Sequence, residues 1–288
     1  MGRAGDNGEA TAAPKAATPV AFAGPTATSP TPVRHPPGLV PAAAPSRRIL
    51  RDEVWIVLGL TFLASAIWAV LDLVSRPTLA GTTAVLYQAD ASPPFHQIVA
   101  VALALVPVLL VVHLLHRSGE GPADIGLSLR PRSQLRRDLA RGLALFALVG
   151  SAGLALYLGS VALGVNRDVA VIAGETSWWT VPVWLVRSVR YGLTEEVIVA
   201  GYLLHRLGQL GWSANRSLAV SALLRGTYHL YQGFGGFAGN LAMGLLFGRV
   251  YQRTGRTVPL IVAHVLVDAV AGIGYLALRD RVGWLAGS

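Results

Sequence analysis

YGLTEEVIVAGYLLHRL, residues Tyr191–Leu207, sets two adjacent glutamates inside an apolar run, with Arg190 just upstream. A charge at the centre of a membrane helix costs about 2.5–3.5 kcal/mol, so such residues mark function by default, with a structural ion pair as the competing explanation. The surroundings decide whether this cost applies. Of 288 residues, 53% are hydrophobic and 14% charged, against about 25% charged in a soluble domain. The stretch therefore reads as membrane helix, and the chain as all-α, a polytopic transmembrane helix bundle.

Working outward, apolar runs near the roughly 20 residues that span a bilayer fall at about 54–74, 96–116, 141–163, 180–209, 214–231, 236–252 and 257–278. They predict about seven or eight spans, the fourth run being long enough for two pieces. Residues 1–46 are rich in Ala, Pro and Thr and lack the periodic apolar surface a core needs, so a disordered tail is expected there. Residues 47–288 form the bundle. Fourteen arginines between Arg47 and Arg256 fall in loops on one side, whereas Arg76, Arg167, Arg279 and Arg281 fall on the other. The positive-inside bias then predicts an integral membrane protein, in the plasma membrane, with a cytoplasmic N-terminus. It also accounts for the net charge of +9 without a nucleic-acid partner, because the basic residues lie between apolar runs. GPADIGLSLRPRSQLRRDLAR, Gly121–Arg141, reads as a cytoplasmic elbow with a short amphipathic stretch on the lipid surface.

The polar residues expected inside spans are Glu195, Glu196, Arg225, His229, His264 and Asp268, with Arg187 and Arg190 nearer a helix end. His264 and Asp268 are four apart in HVLVD, and Arg225 and His229 are four apart in RGTYH, so each pair shares a helix face. Glu195 and Glu196 lie about 100° apart around their helix, so one can face the bundle centre and the other a neighbouring helix. Three helices thus offer inward polar groups, and a buried cluster is expected. A carboxylate beside a histidine can hold a water and take its proton, and a second histidine can hydrogen-bond an oxyanion. Peptide hydrolysis needs those parts, and proton-coupled transport also uses buried acids and histidines. The chain has no cysteine, which excludes disulfides and thiolate chemistry. It has no HExxH and no GxSxG motif. Trp178, Trp179 and Trp184 read as an interfacial aromatic belt. Gly235, Gly239, Gly244 and Gly248, about four residues apart, read as close helix contacts.

EEVIVAGYLLHRL, SALLRGTYHLYQGFGGFAGNLAMGLLFGRVYQRTGRTVPLIVAHVLVDAV and the order of their motifs resemble the CPBP family of intramembrane endopeptidases, which contains type II CAAX prenyl proteases and bacteriocin-immunity relatives. The resemblance runs from about 126 to 271. It implies that Glu195 and His229 activate a water, that His264 and Asp268 stabilise the oxyanion, and that Glu196 supports them. It implies a membrane-embedded or lipid-modified protein as substrate and the bilayer as partner. No cofactor is expected; zinc held by Glu195, His229 and His264 is the alternative that the family's reported metal dependence raises. The family pattern EExxxR has arginine where this chain has Ala200, and phenylalanine where it has Arg225. A relocation follows, in which Arg225 gives Glu196 the positive partner it would otherwise receive from position 200. The rival expectations are a catalytically silent scaffold or immunity protein, favoured by Ala200, and a proton-coupled transporter.

Overall fold

The computed structural model describes residues 45–76, 82–88, 94–174 and 176–279. The expected tail lies outside these residues, apart from Pro45 and Ser46. Ser46 caps the first helix, its hydroxyl accepting from the Ile49 amide at 3.4 Å.

The described chain is mostly helical. The helices are α1 (Arg47–Gly59), α2 (Phe62–Ser75), α3 (Pro94–Ala104), α4 (Val106–Arg117), α5 (Arg132–Ala162) and α6 (Thr180–Glu195). They continue with α7 (Leu203–Gln209), α8 (Ala214–Tyr228), α9 (Phe234–Thr254) and α10 (Val258–Leu278). Two strands, β1 (Thr83–Gln88) and β2 (Asp168–Ala173), pair in parallel with Thr83 opposite Asp168. The mostly helical architecture expected from the sequence holds, with this small two-stranded sheet added to it. Each strand is a short apolar run whose partner lies some eighty residues away, and nothing local signals that pairing.

Among the described residues three helical segments are long and apolar enough to cross a membrane: Pro94–Arg117, Arg132–Ala162 and Val258–Leu278. A fourth is reached if α1 and α2, bent by 51° at their break, form one span. Seven or eight spans are not reached on length and apolarity alone. Helices α6 and α8, with 16 and 15 residues, are short for a span by themselves, and glycines and Asn240 dilute α9. The run expected at 54–74 is broken after Gly59, where Thr61 leaves helical geometry at φ −127° and ψ −98°. The expected surface elbow is also altered. Arg132, Arg136, Arg137 and Arg141 lie in the first turns of the 31-residue α5.

Between α6 and α7 the backbone runs on as a π-helical stretch, Glu196–Tyr202, so 180–209 is one continuous rod. Such wide turns leave the i→i−4 ladder and recur at functional sites. The Ser221 hydroxyl on α8 donates to the Val199 carbonyl within it at 2.9 Å. Around the rod, Val197, Ile198, Tyr202 and Leu203 are buried against α1 and α4, and Ala200 and Leu204 against α5, α9 and α10.

The glycines of α9 divide between two neighbours. A Cβ at Gly235 or Gly239 would meet Ser160 or Leu156 of α5, and one at Gly244 or Gly248 would meet Ala222 or Leu218 of α8. The loops grouped by their arginines adjoin one another. Arg117 pairs with Glu53, Arg206 with Glu120, and Arg256 with Asp138 at 2.6 Å, while Arg249 bonds Asn215 at 3.0 Å. At the other end Arg167 pairs with Asp72 at 2.7 Å.

Candidate active site

The adjacent glutamates close α6 and open the π-helical stretch, and they diverge as their angular separation requires. Glu195 turns toward a cavity of about 530 Å³ lined by α2, α6 and the end of α8. Glu196 turns toward α8 and α10 and is wholly buried.

Glu196 is held from two helices. Its Oε1 accepts from Arg225 Nη2 at 2.5 Å and stands 2.7 Å from His264 Nδ1. Its Oε2 and Arg225 Nη1 are buried with no hydrogen-bond partner among the described residues. The Arg225 guanidinium, 1% exposed, also lies 5.7 Å from the Phe247 ring centre and 3.9 Å from Glu195 Oε2. It therefore bears on both carboxylates and binds one. A Cβ at Gly244 would lie 3.3 Å from Arg225 Cδ, so the bare backbone of α9 there leaves room for the arginine stem.

Glu195 Oε2 accepts from the Tyr228 hydroxyl at 2.7 Å. Its Oε1 makes no hydrogen bond among the described residues. Tyr228 stacks on Phe62 of α2, ring centres 4.6 Å apart, so the cavity wall from α2 also orients the glutamate's partner.

His229 follows the last residue of α8, where the chain enters a short 3₁₀ turn, Leu230–Gln232. Gly233 then takes φ +106°, a conformation that favours glycine, and a Cβ there would come within 2.8 Å of Asn166. Asn166 ties the turn down by accepting from the Gly236 amide at 3.0 Å. His229 Nδ1 lies 3.0 Å from the Arg225 carbonyl. A carbonyl only accepts, so the proton is on Nδ1 and the Nε2 lone pair is free on a ring that lines the cavity. His264 Nε2 lies 3.6 Å from Asp268 Oδ2, too long for a hydrogen bond. The Asp268 carbonyl accepts from Trp184 Nε1 at 2.9 Å, which makes Trp184 a brace between α6 and α10.

All five sequence-derived site residues thus lie on the adjoining ends and faces of α6, α8 and α10. The cavity receives two of them, Glu195 and His229. Glu196 and His264 form the layer behind it, and Asp268 extends that layer through His264. Sequence reasoning missed Tyr228, whose only signal was its place beside His229, and the cavity wall from α2, which no motif marks. Among the described residues no three His, Asp or Glu side chains converge as a metal cage. Both Nδ1 atoms are committed, to Glu196 and to the Arg225 carbonyl. That leaves Nε2 of His229 and of His264 as the ring nitrogens that would hold a zinc together with Glu195, and no step is drawn through a metal.

Fold and site together define a helical membrane protein with a carboxylate–histidine pair facing a cavity and a second carboxylate locked behind it. Residues 177–270 match the family model described as Type II CAAX prenyl endopeptidase Rce1-like. The matched segment holds Glu195, Glu196, His229, His264 and Asp268, and the match supports the family resemblance read from their order. It begins later than the resemblance expected from about residue 126. No curated protein and no solved structure matches the chain.

Proposed function

We propose that the chain is an intramembrane endopeptidase that hydrolyses a peptide bond of a membrane-embedded or lipid-modified protein through a water activated by Glu195 and His229. The observation that carries this reading is the pairing of a free carboxylate oxygen, Glu195 Oε1, with a free imidazole nitrogen, His229 Nε2, on one cavity. A water between them is oriented by His229 and loses a proton to Glu195 Oε1. Its oxygen bonds to the scissile carbonyl carbon, and the C=O electron pair moves onto the oxygen. The tetrahedral intermediate collapses, the C–N bond breaks, and the amine leaves with the proton returned from Glu195. The roles of His264 and Asp268 follow the family resemblance. A proton on Nε2, uncommitted to Asp268 at 3.6 Å, would serve the oxyanion. Glu196 and Arg225 fix the wall on which these groups stand. The arginine-rich ends face the cytoplasm in this reading, in the plasma membrane.

The test is cleavage of a pooled peptide library by the full chain reconstituted in vesicles, comparing wild type with Glu195→Gln, with and without a chelator. Products from wild type alone, unchanged by chelation and reduced at least a hundredfold in the variant, are expected of a glutamate-activated water. Equal cleavage by both proteins would overturn the assignment of Glu195, and loss on chelation would move the chemistry to a metal. A proton-coupled transporter would give flux in place of products, and a scaffold would give neither.

A further inference from the structure

The cavity that receives Glu195 and His229 also receives Arg190, which stands 1.4 turns earlier on α6. Arginine is unusual inside a span and normally meets a partner there. Arg187, one turn before it, does: its Nη2 donates to Gln97 Oε1 at 2.7 Å and its guanidinium lies 4.4 Å over the Tyr87 ring. Arg190 makes no ion pair among the described residues, and its Nε is buried without a hydrogen-bond partner. Its guanidinium lies 3.6 Å over the ring of Tyr191, which fixes its plane and neutralises nothing. Of the two carboxylates lining the cavity, Asp72 pairs with Arg167 at 2.7 Å, and Glu195, bonded to Tyr228 through Oε2, makes no ion pair with Arg190. The cavity therefore holds a positive, planar fork of donors that forms no direct ion pair among the described residues.

We propose that Arg190 is a specificity-determining residue that binds a carboxylate of the peptide substrate. A guanidinium fork matches a carboxylate with two parallel hydrogen bonds, and a neutral peptide leaves this one unpaired. Five helical residues separate Arg190 from Glu195, an axial rise of about 7.5 Å. An extended peptide covers that distance in about two residues at ~3.3 Å each. The bound carboxylate thus lies within a few residues of the scissile bond, and it belongs either to the chain terminus or to an Asp or Glu side chain. This inference rests on the peptidase reading of the cavity, but its test does not need turnover.

The full chain carrying Glu195→Gln, reconstituted in vesicles, is incubated with N-acylated peptides synthesised as matched C-terminal acids and amides, each with and without an internal glutamate. Retained peptides are identified by mass spectrometry, and the comparison is repeated on Glu195→Gln combined with Arg190→Gln or with Arg190→Lys. Enrichment of carboxylate-bearing peptides by roughly tenfold to a hundredfold is expected, the scale of a lost charge-assisted contact. Arg190→Gln should abolish the enrichment and Arg190→Lys should keep part of it. Preference for acids over amides assigns the carboxylate to the terminus; preference for glutamate assigns it to a side chain. Retention indifferent to carboxylates, enrichment that survives Arg190→Gln, or no retention at all overturns the proposal. Thermal melting of each variant in detergent separates these results from misfolding. In an active wild type, Arg190→Gln should raise KM for carboxylate peptides with kcat nearly unchanged and leave amides unaffected. Uniform loss across all peptides would mark a structural residue. If Glu195→Gln cleaves as well as wild type, the hydrolytic assignment fails while the binding result still decides the role of Arg190.

Discussion

Arg225 is 1% exposed and bonds Glu196 at 2.5 Å, the ion pair expected from its place in the sequence. Removing one member of a buried pair leaves an uncompensated charge and costs about 3–5 kcal/mol. Arg225→Phe should therefore lower the melting temperature sharply and abolish hydrolysis with it. Ala200 belongs to the same buried cluster as Phe247, the ring beneath the Arg225 guanidinium. A side chain grown from position 200 would thus start beside the space that Arg225 now fills. Ala200→Arg alone should destabilise, by placing a second cation against one carboxylate. Ala200→Arg with Arg225→Phe should restore both stability and cleavage, and a dead, low-melting double variant would refute the relocation. At this scale the sequence was informative wherever spacing within one helix set a face, as for His264 with Asp268. It was silent wherever two helices had to meet. The Tyr228 hydroxyl reaches Glu195 across 33 residues, and the Arg225 carbonyl binds His229 Nδ1 only because α8 ends there.

Helix α6 ends on Glu195, and its seam with α10 keeps that carboxylate facing the cavity. A Cβ at Gly272 would lie 2.0 Å from Trp184 Nε1, the atom that donates to the Asp268 carbonyl, and one at Gly192 would lie 2.7 Å from Val265. Gly272→Ala should therefore push Trp184 off α10 and separate the helices that carry Glu195 and His264. Overpacking of this kind costs about 1–3 kcal/mol. The expected readouts are a lower melting temperature, a shifted tryptophan emission, and a fall in kcat that exceeds any change in KM. An unshifted emission spectrum would show that Trp184 had not been the brace. Helical runs of this kind were legible as elements because their apolar length is a local property. Three features were not legible. The π-helical stretch Glu196–Tyr202 has no residue pattern of its own, the break at Leu60–Thr61 follows an ordinary glycine, and the β1–β2 pairing joins residues 83–88 to 168–173.

Across the whole molecule, the two ends of the bundle are tied differently. The end carrying most arginines is laced by ion pairs between elements distant in sequence: Glu53 with Arg117, Glu120 with Arg206, and Asp138 with Arg256. Among the described residues, the other end is joined through Asp72 and Arg167. The cavity lies partly under this second end, which is the more sparsely tied among the described residues, since Asp72 is among its lining residues. Opening α2 would thus break fewer ion pairs than disturbing α4 or α7. Glu120, in the turn after α4, is the hub of the laced end. Its Oε1 stands 2.5 Å from His205 Nε2 and accepts from Gln209 Nε2 at 2.7 Å, while Oε2 accepts from the fully buried Arg206. Burial alone would raise its carboxyl, but the bonds and charges of His205 and Arg206 outweigh it and hold the group below the ordinary carboxylate value. A group depressed in the folded state contributes stability above its unfolded pKa, about 4.3 for glutamate, and loses it as pH falls through the folded value. The melting temperature of wild type should therefore exceed that of Glu120→Gln by a constant margin above about pH 5. The margin should shrink as pH falls below 4, and added salt should narrow it at neutral pH, because the group is partly exposed. A margin unchanged at pH 3 would mean that hydrogen bonding, which glutamine can partly reproduce, and not charge, joins α4 to α7.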